Sequence, residues 1–183
     1  MVIGVSAGVG KSTFARKLGE ILNITVFHLD AYYWKPGWVE ASIVEFQAAQ
    51  EKIVKKEEWI VEGNYSSTFA VRASFADTII YLELPLYVCL YRVFKRWLMY
   101  IGKTRPDMGE GCKEKLDKDF LKFIITTYYP RKKTMMKRLQ ELQSQGSKKN
   151  IIILKNKKEI QQFLQDVERK VSKNISREIS RNM

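Results

Sequence analysis

The sequence predicts an α/β fold: a three-layer arrangement in which a mostly parallel sheet carries helices on both faces. Three observations predict it. Short apolar runs alternate along the chain with amphipathic stretches of helical period, the order produced by crossover connections between parallel strands. The runs are continuously apolar, as expected of strands covered on both sides. A glycine-rich turn, Gly8-Val9-Gly10, joins the first run to the first helical stretch. The 183 residues suffice for one domain with a substantial core.

The elements follow in order. Residues 1–6 are the first apolar strand, and residues 11–22 place Phe14, Leu18, Ile21 and Leu22 at helical spacing. A second strand, 24–29, ends at Asp30, and residues 32–38 form an aromatic loop with a Pro36-Gly37 turn. Ser42 and Glu45 make a capping box that opens a helix to about residue 57, with Ile43, Phe46 and Ile53 inward. Residues 59–62 are the third strand, stopped by Gly63-Asn64, and 66–74 a short helix. Asp77 precedes the fourth strand, 78–84, which Pro85 closes. The helix over 86–101 directs Leu86, Cys89, Leu90, Val93, Phe94 and Trp97 inward. Three glycines and a proline make 102–112 a loop. Two basic helices follow, about 113–127 and 129–145, separated near Pro130. Residues 150–154 are the fifth strand, and 158 to about 171 the last helix.

The strongest chemical signal is Gly8-Val9-Gly10-Lys11-Ser12-Thr13, placed between an apolar strand and an amphipathic helix. Glycines let a backbone wrap phosphate with its N–H groups inward, and the helix N-terminus adds partial positive charge. In such a P-loop Lys11 reaches the β- and γ-phosphates of a nucleoside triphosphate and Ser12 ligates Mg²⁺. The longer GxxxxGK[ST] pattern places glycine at the position of Val5, with Gly4 one place off, so the strand is expected to leave the sheet differently here. A GTP-binding switch protein is excluded by the absence of a DxxG element, and a protein kinase by the absence of HRD and DFG.

Composition narrows the partners. The net charge of +12 is uneven: residues 1–94 hold 9 Lys and Arg against 10 Asp and Glu, and residues 95–183 hold 23 against 10. That imbalance suits a site for several phosphates, and it also keeps open a nucleic-acid-associated ATP-binding protein. No nucleic-acid-binding motif accompanies the charge, so nucleic acid is the less favoured partner. No signal peptide and no apolar run of membrane length is found, and Cys89, Cys112 and His28 form no disulfide framework or zinc pattern, so a reduced cytoplasmic protein is expected.

Further motifs extend the match. GKSTFARKL, HLDAYYWKPGW, WIVEGNY, ADTIIYLELP, CLYRVFKR and RPDMGEGC occur in order between Gly10 and Cys112. Together they resemble small P-loop kinases of the adenylate kinase-like group, and more closely the family of DNA topology modulation proteins, whose name describes a phenotype rather than a reaction. The resemblance implies a P-loop NTPase sandwich with a five-stranded parallel core and a mobile helical lid, binding ATP with Mg²⁺. It implies one domain over 1–172 with a lid at about 103–131, leaving 173–183 as a fraying basic tail.

Candidate residues are read onto that frame. Asp30, at the carboxyl edge of the sheet, orients magnesium or accepts the acceptor proton; the alternative is a capping aspartate. Arg92 and Arg96, four apart on one helix face, suit stabilisation of charge moving between phosphates, or are solvated surface arginines. Arg131, with Arg105, is a candidate lid arginine over the nucleotide. Trp34 and Trp38, with Tyr33, stack on a base or shape an acceptor pocket, or else pack structurally. Asn64 offers a donor and an acceptor or simply forms the turn. Arg72 binds acceptor phosphate or pairs with Asp77. The function these residues suggest is transfer of the γ-phosphate of ATP to a nucleotide or other small acceptor, with a water-using triphosphatase as an alternative.

Overall fold

The computed structural model describes residues 1–144 and 148–181. Five parallel strands form the central sheet: β1 (Val2–Gly4), β2 (Val26–His28), β5 (Ile60–Glu62), β6 (Thr78–Leu82) and β7 (Asn150–Leu154). Their order is β2-β5-β1-β6-β7, so β1 is central and its carboxyl end opens between the two halves of the sheet. Val2 and Ile3 of β1 and Ile79 and Tyr81 of β6 have no exposed surface, which explains why these strands read as unbroken apolar runs. The five expected strands are present; the first four are shorter than the runs that signal them, and β7 has the expected bounds.

Helix α1 (Lys11–Leu22) packs Phe14, Ala15 and Leu18 onto the sheet, and α3 (Ile43–Val54) opens with the expected capping box, Ser42 Oγ accepting from the Glu45 N–H. Helix α5 (Leu86–Tyr100) buries Cys89 and Val93. Phe94, expected inward, is half exposed and lies against Trp97 at a centroid distance of 5.7 Å.

Four elements differ from the sequence expectation. After β2 the chain enters a one-turn helix, α2 (Leu29–Tyr33), so Asp30 lies in a helical first turn rather than at a strand end. The aromatic loop is a small antiparallel hairpin, β3 (Trp34–Lys35) with β4 (Val39–Glu40), turned through Gly37 and Trp38, both at positive φ. The two basic helices are one, α6 (Lys118–Ser144), running through Pro130. Ile124, Tyr128, Met135 and Leu139 fall on one buried face on both sides of that proline, and their burial outweighs the backbone bond it removes. The expected end of this segment at residue 145 lies outside the described residues. Helix α7 (Lys157–Arg181) continues through residues expected as a basic tail. The remaining helix is α4 (Phe69–Phe75), preceded by a 3₁₀ turn at Ser66–Thr68.

A second, smaller core of Leu29, Ala41, Phe46, Ile53 and Val61 sits under the hairpin. Tyr33, Phe46 and Tyr65 close it with ring centroids 4.7–5.0 Å apart. This cluster fixes the hairpin and α2 beside the carboxyl ends of β2 and β5.

Candidate active site

Between β1 and α1 the backbone turns where only glycine fits. Gly8 has φ 78°, and a Cβ there would lie 2.2 Å from the Cys89 carbonyl oxygen. Gly10 has φ 101° and caps α1 without any side-chain hydrogen bond, and no acid occupies the helix's first turn. The positive end of α1 therefore faces the cleft without a side-chain cap. Val5, at the place of the pattern's first glycine, is still bonded in the sheet, its N–H donating to the Leu82 carbonyl at 2.9 Å. Gly4 provides the close approach instead, since a Cβ there would meet Val9 Cγ1 at 2.5 Å. Lys11 Nζ donates to the Ser6 carbonyl at 3.3 Å. From α5, Arg92 Nη1 donates to the Val9 carbonyl at 2.9 Å and braces the loop.

The carboxyl ends of β2 and β5 bring acids to this loop. Ser12 Oγ donates to Glu62 Oε1 at 2.9 Å, and His28 Nδ1 lies 3.0 Å from the same oxygen. Glu62 is the residue the sequence reading missed; its signal was a lone charge ending the apolar run Ile60-Val61. Asp30 Oδ1 accepts from the Tyr65 hydroxyl at 2.7 Å. Burial and the charge of Glu62 raise the Asp30 pKa, against the Tyr65 hydrogen bond and the charges of Lys11 and Arg105.

Burial works against a charged His28, but the hydrogen bond and charge of Glu62, with Asp107 and Asp30, raise its pKa overall. A raised folded-state pKa contributes stability that is complete below the unfolded value near 6.5 and is lost as pH rises through the folded value. Glu62→Gln is expected to lower the His28 pKa, because it removes the charge that opposes burial most strongly. NMR titration of the single histidine without added metal measures this; an unmoved pKa would show that Glu62 is not its cause.

Residues 105–114 lie across the hairpin end of the cleft. Arg105 donates from Nε to Glu114 Oε2 at 2.6 Å and from Nη1 to Asp107 Oδ2 at 2.8 Å, while Arg96 Nε donates to Glu114 Oε1 at 2.8 Å. Burial and the charge of Arg105 lower the Arg96 pKa, with Glu114 opposing. Burial favours the neutral form of Asp107, but the charge of Arg105, with the Ser12 hydroxyl nearby, lowers its pKa overall. The loop is seated on the hairpin by Trp38 Nε1 donating to the Lys113 carbonyl at 3.0 Å and by Cys112 Sγ at 3.2 Å from the Lys35 carbonyl. A Cβ at Gly109 would fall 1.9 Å from the Trp34 carbonyl oxygen, so the seat requires glycine.

The cleft measures about 1160 Å³ and brings together Gly8, Val9, Gly10, Lys11, Ser12, Thr13, Asp30, Trp34, Trp38, Asn64, Arg92, Arg96 and Arg131. Asn64 Oδ1 accepts from the Gly4 N–H at 2.9 Å, tying the β5 exit to the β1 exit. Arg131, on α6, stacks on Phe123 at 4.5 Å, and burial lowers its pKa. Trp34 and Trp38 meet edge to face at 5.4 Å.

Arg72 corrects its expectation. It does not line the cleft or pair with Asp77; its side chain is fully buried between α3 and α4. Its guanidinium donates to Gln50, to Thr68 Oγ1 at 3.0 Å and to the carbonyls of Gly63 and Tyr65 at 3.4 and 3.3 Å.

Among the described residues no group of three or more His, Cys, Asp or Glu is arranged to hold a metal by itself, and no helix is long and apolar enough to cross a membrane. No family model and no curated protein matches the sequence. Solved structures do match. Shikimate kinase from Acinetobacter baumannii in complex with shikimate is 15% identical over 94% of this chain and 92% of its own, with a TM-score of 0.49. A presumed kinase from Chloroflexus aurantiacus J-10-fl is 15% identical over 92% of this chain and 96% of its own, with a TM-score of 0.52. At that identity the second likeness speaks for the fold alone, an α/β sandwich around a five-stranded parallel sheet.

Proposed function

We propose that this protein is a phosphotransferase that moves the γ-phosphate of ATP to a small acceptor. The observation that carries the proposal is the glycine cradle over an uncapped helix N-terminus, with Ser12, Glu62 and Asp30 gathered at the same sheet edge. The cradle fits a phosphate: its glycines leave room that a Cβ would fill, and the first turn of α1 has neither an acid nor a side-chain cap. The Ser12 hydroxyl and Glu62 carboxylate are hard oxygen donors of the kind magnesium takes alongside substrate phosphates. Magnesium held there supplies charge neutralisation to the transferring phosphoryl group.

The chain's own groups divide the work. Lys11 places a point charge against the phosphates, and the Arg92 bond to Val9 holds the cradle's shape. Asp30, with its raised pKa, suits acceptance of a proton from the acceptor hydroxyl. The loop over residues 105–114 covers this end and limits access of water. Because β1 is central, the cleft has one end on the β2–β5 side and another lined by Lys157, Ile160, Gln161 and Leu164 of α7. Glu62 and Asp30 assign the first end to the acceptor, which leaves the α7 end and Arg131 to the nucleoside of ATP.

Incubation with Mg-ATP and a panel of nucleosides, nucleotides and small alcohols, with ADP and phosphorylated product quantified together, tests the proposal. Acceptor-dependent ADP with an equal amount of phosphorylated product is expected. Steady ADP release with no such product would make water the acceptor and overturn it.

A further inference from the structure

The acceptor end of the cleft has a charge and a lining of its own. Its walls include the rings of Trp34 and Trp38, with Tyr65 beside Asp30. Six carboxylates line this side, Asp30, Glu40, Glu62, Asp107, Glu114 and Asp117, against the three cations Arg96, Arg105 and Lys115, with His28 held on Glu62.

All three cations are already engaged. Arg105 bridges Glu114 and Asp107, and Arg96 holds the other oxygen of Glu114. The ammonium of Lys115 sits 5.2 Å from the Trp38 ring centroid and 3.7 Å from Asp117 Oδ2. The Glu114 side chain is only 2% exposed, so drawing its arginines toward a substrate phosphate would strand a buried carboxylate. The other lysines and arginines of the cleft differ: Arg92 braces Val9, and Lys11, Arg16, Lys17, Lys95, Arg131 and Lys157 have no carboxylate within salt-bridge distance among the described residues. The cations open to a polyanion thus lie outside the Arg105–Glu114–Arg96 network and centre on the glycine loop and α1, where the phosphates of ATP are held.

We infer that the acceptor is a neutral or cationic alcohol with a planar ring and no phosphate or carboxylate of its own, an inference that rests on the phosphotransferase reading. The planar ring stacks on the tryptophan wall, and hydroxyl or amine donors meet Asp30 and Glu40. An anionic group there would face the six carboxylates, with Arg96, Arg105 and Lys115 already engaged. In the reaction the acceptor oxygen forms the new bond to the γ-phosphorus and its proton passes to Asp30. The bond from the γ-phosphorus to the β–γ bridging oxygen breaks, and ADP leaves.

Nucleosides and their 5′-monophosphates are matched probes that differ in the phosphate alone. Adenosine, guanosine, cytidine and uridine, each with its monophosphate, are titrated into the full chain saturated with magnesium and a non-hydrolysable ATP analogue. Tryptophan fluorescence reads binding, with Trp34→Phe locating the signal, and transfer from ATP is measured in parallel. At least one nucleoside is expected to bind about 10-fold or more tightly than its monophosphate, with a smaller signal in Trp34→Phe. Glu40→Lys is expected to narrow that gap. A monophosphate that binds as tightly as its nucleoside overturns the inference, and so does failure of all four nucleosides to bind. Selective nucleoside binding without transfer would keep the specificity and remove the phosphotransferase reading. Transfer to monophosphates alone would keep the phosphotransferase and remove the specificity.

Discussion

Lys11→Ala is expected to lower ATP-dependent turnover by about 10²–10³-fold, the scale for removing one charged group aimed at a transferring phosphoryl, with the fold unchanged. The two halves of that expectation have separate physical grounds. Lys11 is partly buried, and its Nζ makes a long 3.3 Å bond to the Ser6 carbonyl with no ion pair to a carboxylate among the described residues. Truncation therefore removes little that holds the native state, and a stability change within about 0.5 kcal/mol is expected. For phosphate the loss is different in kind. The α1 N-terminus offers backbone N–H groups and a partial charge, and Lys11 is the full charge at that end. Lys11→Arg is not expected to restore activity, because a guanidinium is a broad planar fork and this stem is confined. A Cβ at Gly4 would already lie 3.1 Å from Lys11 Cγ. Steady-state kinetics beside a thermal melt decide the matter. Turnover within about tenfold of wild type would show that phosphate is not held at Lys11, and the phosphotransferase reading would lose its ground.

What the sequence made legible is what short-range physics enforces. Gly8 and Gly10 stand out because their backbone angles and neighbours exclude a Cβ, a constraint carried by the residues themselves. Ile79–Leu82 reads as a buried strand because every side chain in it is covered. Glu62 was missed because its meaning comes from Ser12, fifty residues earlier, and only the pairing of β5 with β1 brings them together. The Arg105–Glu114–Arg96 network was hidden for the same reason, since neither arginine announces its partner along the chain. The β3–β4 hairpin has two residues per strand, too few for an alternation to register. At Pro130 a sound local rule pointed to a break, and the buried face running from Ile124 to Leu139 overrode it. Arg72 was misplaced because an arginine next to a strand ordinarily faces water, whereas the packing of α3 on α4 closes over this one.

Arg72→Ala is expected to destabilise the protein by about 2–4 kcal/mol, the range for a core truncation that also strands hydrogen-bond acceptors. The arginine has no exposed surface and no carboxylate partner, and burial lowers its pKa to about 10. Holding a cation there is costly, so truncation gives back part of what it removes. The balance still falls on the side of loss. Gln50 Oε1, Thr68 Oγ1 and the carbonyls of Gly63 and Tyr65 would lose their donor in a space sealed from water, and a cavity the size of the side chain would open. Arg72→Met fills much of that space without a charge and is expected to cost about 1–2 kcal/mol less than alanine. Stability is not the whole consequence. The Gly63 and Tyr65 carbonyls bracket Asn64, which holds the Gly4 N–H at the cradle, and Tyr65 itself donates to Asp30. Arg72 thus reaches the active site by positioning the turn after β5. A folded Arg72→Met protein should accordingly turn over more slowly than wild type while binding ATP normally. Urea unfolding with an unchanged m value gives the stability difference, and kinetics on Arg72→Met give the positioning effect. Arg72→Ala as stable as wild type would mean that this buried network is energetically idle. Full turnover by Arg72→Met would confine its role to stability.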